Sequence, residues 1–152
     1  MKRKLNGTRV VWVMIVLAML GSMTTQLAVA QDDTKTCSLD TLDGKYTFTQ
    51  TGFNIVNGVA VPKTVSEVMT FHGNGTVTFL ATALIGGNKI SDNTVSPGSY
   101  TVNSDCTGTL AVQSFPFPVF NLYVEPKGKS FEAIQVAPAG QMLAGTAHRI
   151  SD

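Results

Sequence analysis

Val65-Ser66-Glu67-Val68-Met69-Thr70-Phe71-His72-Gly73-Asn74-Gly75-Thr76-Val77-Thr78-Phe79 is two alternating runs on either side of a glycine-rich turn. In the first run Val65, Glu67, Met69 and Phe71 alternate with Ser66, Val68, Thr70 and His72, and in the second Val77, Phe79, Ala81 and Ala83 share a face. Side chains of a strand point to opposite faces with a period of two, so each run reads as a half-buried strand. His72-Gly73-Asn74-Gly75 is the clearest hairpin signal in the chain, because Asn and Gly tolerate the positive φ of a tight primed turn. The two strands are expected over Pro62 to His72 and Thr76 to Ile85.

The same pattern extends in both directions. Upstream, Gly44 to Phe53 carries Tyr46 and Phe48 on one face and Thr47 and Thr49 on the other. Downstream, Gly86 to Pro97 is polar and reads as a loop, followed by strands over Gly98 to Asn103 and Thr107 to Ser114. Phe115-Pro116-Phe117-Pro118 interrupts, since neither proline can donate to a ladder. Strands over Val119 to Glu125, Phe131 to Val136 and Met142 to Ile150 complete the set. Eight short strands with short links predict an all-β fold, an antiparallel up-and-down barrel of about eight strands, with a β-sandwich as the alternative. Closure into a barrel removes the exposed edges that such strands would otherwise leave. The expected inward set is Tyr46, Phe48, Val65, Glu67, Met69 and Phe71, then Val77, Phe79, Tyr100, Val102, Phe131 and Ala133. In the last strand it is Met142, Ala144 and His148.

The first thirty residues differ in composition. Lys2, Arg3, Lys4 and Arg9 precede an unbroken apolar run, Val10 to Leu20, and Ala28-Val29-Ala30 stands before Gln31-Asp32-Asp33. A basic head, a short apolar segment and an A-x-A site are the parts of a secretory signal peptide. Eleven helical residues span roughly 16 Å, about half of a bilayer core, so an uncleaved anchor is the weaker reading and no stable membrane insertion is expected after cleavage. The expected organisation is a signal peptide (1–30, helical), a polar segment (31–41) and one barrel domain (42–152), exported to a bacterial periplasm or the medium. Loss of the leader leaves seven basic and ten acidic residues, a net charge of −3. With the remaining cations scattered, nucleic acid is excluded as a partner.

Cys37 and Cys106 are the only cysteines. In an exported chain they most simply form one disulfide, the alternatives being two free thiols or a metal site. Zinc would need further ligands nearby, and His72 and His148 are isolated, so no metal and no cofactor is expected.

Three stretches look familiar together: Leu42-Asp43-Gly44-Lys45-Tyr46-Thr47-Phe48, Phe71-His72-Gly73-Asn74-Gly75, and Gly98-Ser99-Tyr100-Thr101-Val102-Asn103-Ser104-Asp105-Cys106-Thr107-Gly108-Thr109. They resemble a group of small exported bacterial proteins whose architecture is similar to calycin-type barrels, especially the allene-oxide-cyclase-like ones. The resemblance covers about Cys37 to Arg149 and implies a barrel with an interior that can hold a ligand. Its motifs are turn glycines, inward aromatics and one cysteine, so it carries over no catalytic residue, and fold likeness does not fix function.

Signatures of common hydrolases, metalloproteases, phosphate-binding loops and dithiol redox sites are missing from the sequence. The residues expected near a ligand are Glu67, Phe71, Phe79, Tyr100 and His148. Glu67 is the sharpest, because a carboxyl among apolar neighbours is desolvated and its pKa raised. His72 reads as a solvent-facing strand end, Glu132 as outward, and Asp105 as an acceptor for turn amides. The expected function is non-enzymatic binding of a small apolar ligand, or an interaction role in the envelope. The alternative is a cofactor-free cyclase or isomerase in which Glu67 and His148 assist proton transfer inside the barrel.

Overall fold

The structure is a computed structural model that describes residues 36–115 and 117–152. The expected signal peptide and residues 31–35 of the expected polar segment lie outside the described residues.

Eight antiparallel strands close into a barrel in sequence order. They are β1 (Gly44–Val56), β2 (Val59–Phe71), β3 (Thr76–Ile85), β4 (Asn88–Val102), β5 (Thr107–Val112), β6 (Phe120–Val124), β7 (Ser130–Gln135) and β8 (Gln141–Ser151), and β8 pairs with β1 to close the ring. Each strand joins the next through a local connection, so the up-and-down order follows from hairpin chemistry. β1 turns into β2 through Asn57 and Gly58, with φ of 52° and 79°, and β3 turns into β4 through Gly86 and Gly87, with φ of 57° and 82°. Two consecutive positive φ values match the right-handed twist of flanking strands. At the expected hairpin, Gly73 and Gly75 take the positive φ, while Asn74 Oδ1 accepts hydrogen bonds from Thr76 N (3.0 Å) and Thr76 Oγ1 (2.6 Å).

One expected boundary is corrected here. Gly86 to Pro97 is not a loop: Asn88 to Pro97 belongs to β4 and pairs with the upper part of β3. The β3–β4 hairpin stands proud of the barrel there, so both faces of β4 meet water and the apolar alternation that marks a half-buried strand is lost. On the opposite side β5, β6 and β7 have only six, five and six residues. The barrel is therefore tall on the side of β1 to β4 and low on the other, where Phe115 and Val119 border its mouth.

The lower half is solid. Tyr46, Phe48, Phe71, Tyr100 and Phe131 meet there, with Phe71 at 4.8 Å edge-on to Tyr100 and 5.6 Å from Phe131. Met69, Val77, Leu110, Leu122 and Ala133 fill the gaps and are fully enclosed. Beneath these rings a short 3₁₀ turn, Leu39–Leu42, inserts Leu42 into the base. Cys37 and Cys106 are bonded, with Cα atoms 5.0 Å apart, and pin this N-terminal strap to the β4–β5 turn.

Arg149 closes the same end. Its Nε donates to Gly128 O (2.8 Å), one terminal nitrogen donates to Thr41 O (3.0 Å) and Tyr46 Oη (2.7 Å), and the other donates to Asp43 O. The guanidinium also lies 5.0 Å from the Tyr46 ring centre. Tyr46 Oη donates in turn to Gly128 O (2.6 Å), and burial pushes the phenol up to about 12 although Arg149 opposes the shift. Arg149 fixes the phase of β8, and the expectation for that strand is reversed. Leu143 and Ala147 point inward, at 4% and 0% exposure, whereas Met142 is 66% exposed and Ala144 and His148 lie outside. β8 has small residues on both faces, so its apolar pattern does not choose a side. The three carbonyls that need the guanidinium do.

Two outcomes follow. Replacing both cysteines by Ala should cost about 4 kcal/mol in urea unfolding, the value expected for a closed loop this long; a loss below about 1 kcal/mol would mean the strap holds without its bond. Arg149→Leu should cost about 3 kcal/mol by leaving base carbonyls without a donor, and Arg149→Lys should recover less than half, since an ammonium cannot span the same partners. Full recovery by Lys would show that charge alone matters.

Candidate functional site

Above the ring cluster the inward side chains change character. Along β1 the phase set by Tyr46 and Phe48 continues to Gln50, and along β7 that of Phe131 and Ala133 continues to Gln135. Along β2, Met69 gives way to Glu67, Val65 and Lys63, and along β3 Phe79 is followed by Ala81. Glutamines, a carboxyl and small residues thus replace rings at one level of the barrel. They surround a cavity of about 180 Å³. Its walls are apolar, made by Val65, Phe79, Val112, Phe115, Phe120 and Leu143. This is less than the roughly 300 Å³ at which drug-sized pockets begin, so the space suits a small molecule.

Glycine sets the position of one wall. Phe79 lies across Gly98 on the neighbouring β4, where a Cβ would collide with the ring and with Ala111 O. Close approach of a ring to backbone is a place where only glycine fits.

The floor is polar. Gln50 Nε2 donates to Glu67 Oε1 at 2.9 Å, while Gln50 Oε1, on a residue only 3% exposed, has no hydrogen-bond partner among the described residues. Gln135 Nε2 donates to Ala137 O (2.9 Å) and Gln141 Oε1 (3.1 Å), and Gln135 Oε1 is likewise unpartnered. Lys63 Nζ donates to Gln141 Oε1 at 2.7 Å, and burial lowers its pKa. Burial raises the Glu67 carboxyl to about 7, the Gln50 amide only partly offsetting the desolvation. A buried acceptor without a donor costs on the order of 1–3 kcal/mol, so two at one cavity mark the least satisfied place described in the molecule.

Of the residues expected near a ligand, Glu67 and Phe79 line this cavity. Phe71 and Tyr100 do not. They pack in the base, where Tyr100 Oη donates to Leu39 O at 3.0 Å. His148, expected inside, lies on the outer surface of β8, so it cannot share a site with Glu67 across the barrel wall. His72 is exposed at the base, with Nε2 3.3 Å from Thr78 Oγ1, at the end opposite the cavity. Asp105 Oδ1 accepts from Thr107 N (3.0 Å) and Thr107 Oγ1 (2.7 Å), bonds that hold its carboxyl below the ordinary range, and Glu132 faces outward. Gln50, Lys63, Gln135 and Gln141 were not anticipated. Gln50 and Gln135 could have been found by continuing the inward phase two residues past Phe48 and Ala133.

A larger depression, about 360 Å³, lies on the outer wall near the base beside Asp105, Tyr123 and Glu132. Size does not favour it, because no unpartnered buried polar atom faces it. No group of three or more His, Cys, Asp or Glu placed to hold a metal occurs among the described residues.

Glu67 gives stability a particular pH dependence. Its carboxyl ordinarily loses its proton near 4.5 but holds it in the barrel to about 7. Between those values the folded chain binds more proton than the unfolded one, so this residue's contribution is full below about pH 4.5 and declines as pH rises through about 7. Glu67→Gln removes the charge and offers Gln50 Oε1 an N–H. It should match the parent's stability near about pH 4 and exceed it by about 3 kcal/mol near about pH 8, measured by urea unfolding. A difference that does not change with pH would contradict the raised pKa.

Comparison of the chain with protein-family models gives no match, and comparison with curated proteins gives none either.

Proposed function

We propose that the chain is an exported barrel that binds a small, largely apolar molecule in the cavity above its aromatic base. The observation that carries this reading is the change of lining at one level of the barrel, from interlocked rings to glutamines and a carboxyl beneath apolar walls. A barrel needing only stability would continue its rings upward. Eight strands leave an interior that is either filled by side chains or just able to hold one small ligand, and this barrel does each in one half. The Cys37–Cys106 bond agrees with an oxidising compartment outside the cytoplasm, as does the leader-like sequence at residues 1–30. Exposed Phe53, Ile55, Val59, Ile90 and Val136 near the mouth end give an apolar molecule a compatible approach. The likeness to calycin-type barrels belongs to the same proposal.

One observation favours a cyclase or isomerase instead: a carboxyl at about 7 is poised to give or take a proton near neutrality. With His148 outside the barrel, that reading keeps Glu67 as its only acid-base residue from the expected pair.

Titration of the mature protein with indole, followed through backbone amide NMR shifts, tests the binding reading. Shifts should centre on Gln50, Glu67, Phe79 and Phe115, and Ala81→Phe, which fills the cavity, should abolish them. Shifts confined to the outer wall, or unchanged in Ala81→Phe, would overturn it.

A further inference from the structure

The cavity floor holds an excess of acceptors whose arrangement is fixed. Gln135 cannot exchange the positions of its amide oxygen and nitrogen, because the oxygen would then face Ala137 O and Gln141 Oε1, two acceptors. Its free oxygen is therefore fixed, without a partner, in a side chain that lines the cavity. Gln50 can exchange only when Glu67 is protonated, since otherwise its oxygen would meet a carboxylate. With Glu67 ionised the floor presents Gln50 Oε1, Gln135 Oε1 and the Glu67 carboxylate, which are three acceptors and one negative charge. Gln50 and Gln135 are 3% and 8% exposed, so water at the surface does not satisfy them.

An occupant must bring donors to this floor. A carboxylate brings none and would face Glu67, and a hydroxyl brings one. A primary ammonium brings three donors, no acceptor, and the opposite charge. From these groups we infer that the cavity recognises a small aliphatic primary amine, with its ammonium against Glu67, Gln50 and Gln135 and its short chain along Phe79, Phe120 and Leu143. The inference deepens the binding reading above and rests on it.

Lys63 limits the class further. Among the described residues it is the only other ionisable side chain lining the cavity, four residues from Glu67 on β2 and tied to Gln141. From the flanking strands Glu67 is paired with Phe48 of β1 and Ala81 of β3 and bonded by Gln50, none of which titrates. A second cationic group on the ligand would approach Lys63, so a monoamine is favoured over a diamine. A protonated Glu67 offers the ammonium no charge, which makes amine binding depend on pH: the amine binds the ionised carboxyl and displaces its proton.

Calorimetry of the mature protein with n-butylamine, and with n-butanol and butyrate as controls of similar size, separates the possibilities. Butylamine should bind more tightly than either control. Its affinity should rise about tenfold between about pH 6 and about pH 8, with proton release at the lower pH seen by comparing two buffers. Glu67→Gln should weaken it about tenfold at the higher pH and abolish the pH dependence. Gln135→Leu should weaken it severalfold and leave the pH dependence in place. If butanol binds as tightly as butylamine and pH has no effect, the ammonium site is overturned while cavity binding stands. If butylamine, butanol and indole all fail to bind, the ammonium site and the binding reading fall together.

Discussion

Phe131 is the side chain through which β7 meets β1 and β2 across the base of the barrel. From β7 it lies 5.4 Å from Tyr46 and 5.8 Å from Phe48, both on β1, and 5.6 Å from Phe71 on β2, which in turn meets Tyr100 on β4. Tilted and edge-on ring contacts of this kind add to the area each ring removes from water. They also set register, because a one-residue slip of any of these strands would carry its ring to the solvent face. The local hairpins bring neighbours together. The rings make the first and second strands commit to the seventh, which closes the barrel.

The interior above follows from where the rings stop. Gln50 and Gln135 occupy the next inward positions, and Ala81 stands where a larger side chain would have filled the space. Those substitutions leave unmet polar atoms and a desolvated carboxyl, in a protein whose lower half shows close packing and a satisfied hydrogen-bond cluster around Arg149. A small domain has little stability to spare. Unmet polarity concentrated at one cavity is therefore a feature to be explained by function, as strained or unsatisfied groups at sites commonly are. The tall β1–β2 and β3–β4 hairpins, with uncharged tips at Asn57-Gly58 and Gly86-Gly87, raise one side of the mouth above the other.

Much of this was legible in the amino-acid sequence, and what was not has identifiable causes. β1, β2 and β3 alternate large apolar with polar residues, so Tyr46, Phe48, Met69, Phe71, Val77 and Phe79 could be assigned to the interior by period alone. Glu67 was readable by the same phase, and Phe115 to Pro118 as an interruption by the chemistry of proline. The phase of β8 was not readable, because Ala144, Gly145, Thr146 and Ala147 offer no contrast between faces. Its deciding residue, Arg149, looks outward by composition and turns inward only because carbonyls of Thr41, Asp43 and Gly128 converge there. Those partners come together only once the barrel is closed. The upper part of β4 was hidden for a different reason: a strand wet on both faces has no alternation to show. The polar floor lay between these cases, since its glutamines continue visible phases but polar residues at strand ends ordinarily signal the approach of a turn.

The central claim is that this barrel keeps a desolvated, ionisable carboxyl beneath an apolar cavity. The most direct test is an NMR titration of the Glu67 side-chain carboxyl in ligand-free protein, selectively labelled with carbon-13 at glutamate. A midpoint at about 7 is expected for Glu67, accompanied by a shift of the Gln50 amide and no comparable midpoint at Glu125, whose carboxyl is held below its ordinary range by the Lys129 amide. A Glu67 midpoint near its ordinary 4.5 would mean that the carboxyl is solvated, and the account of the site would be wrong.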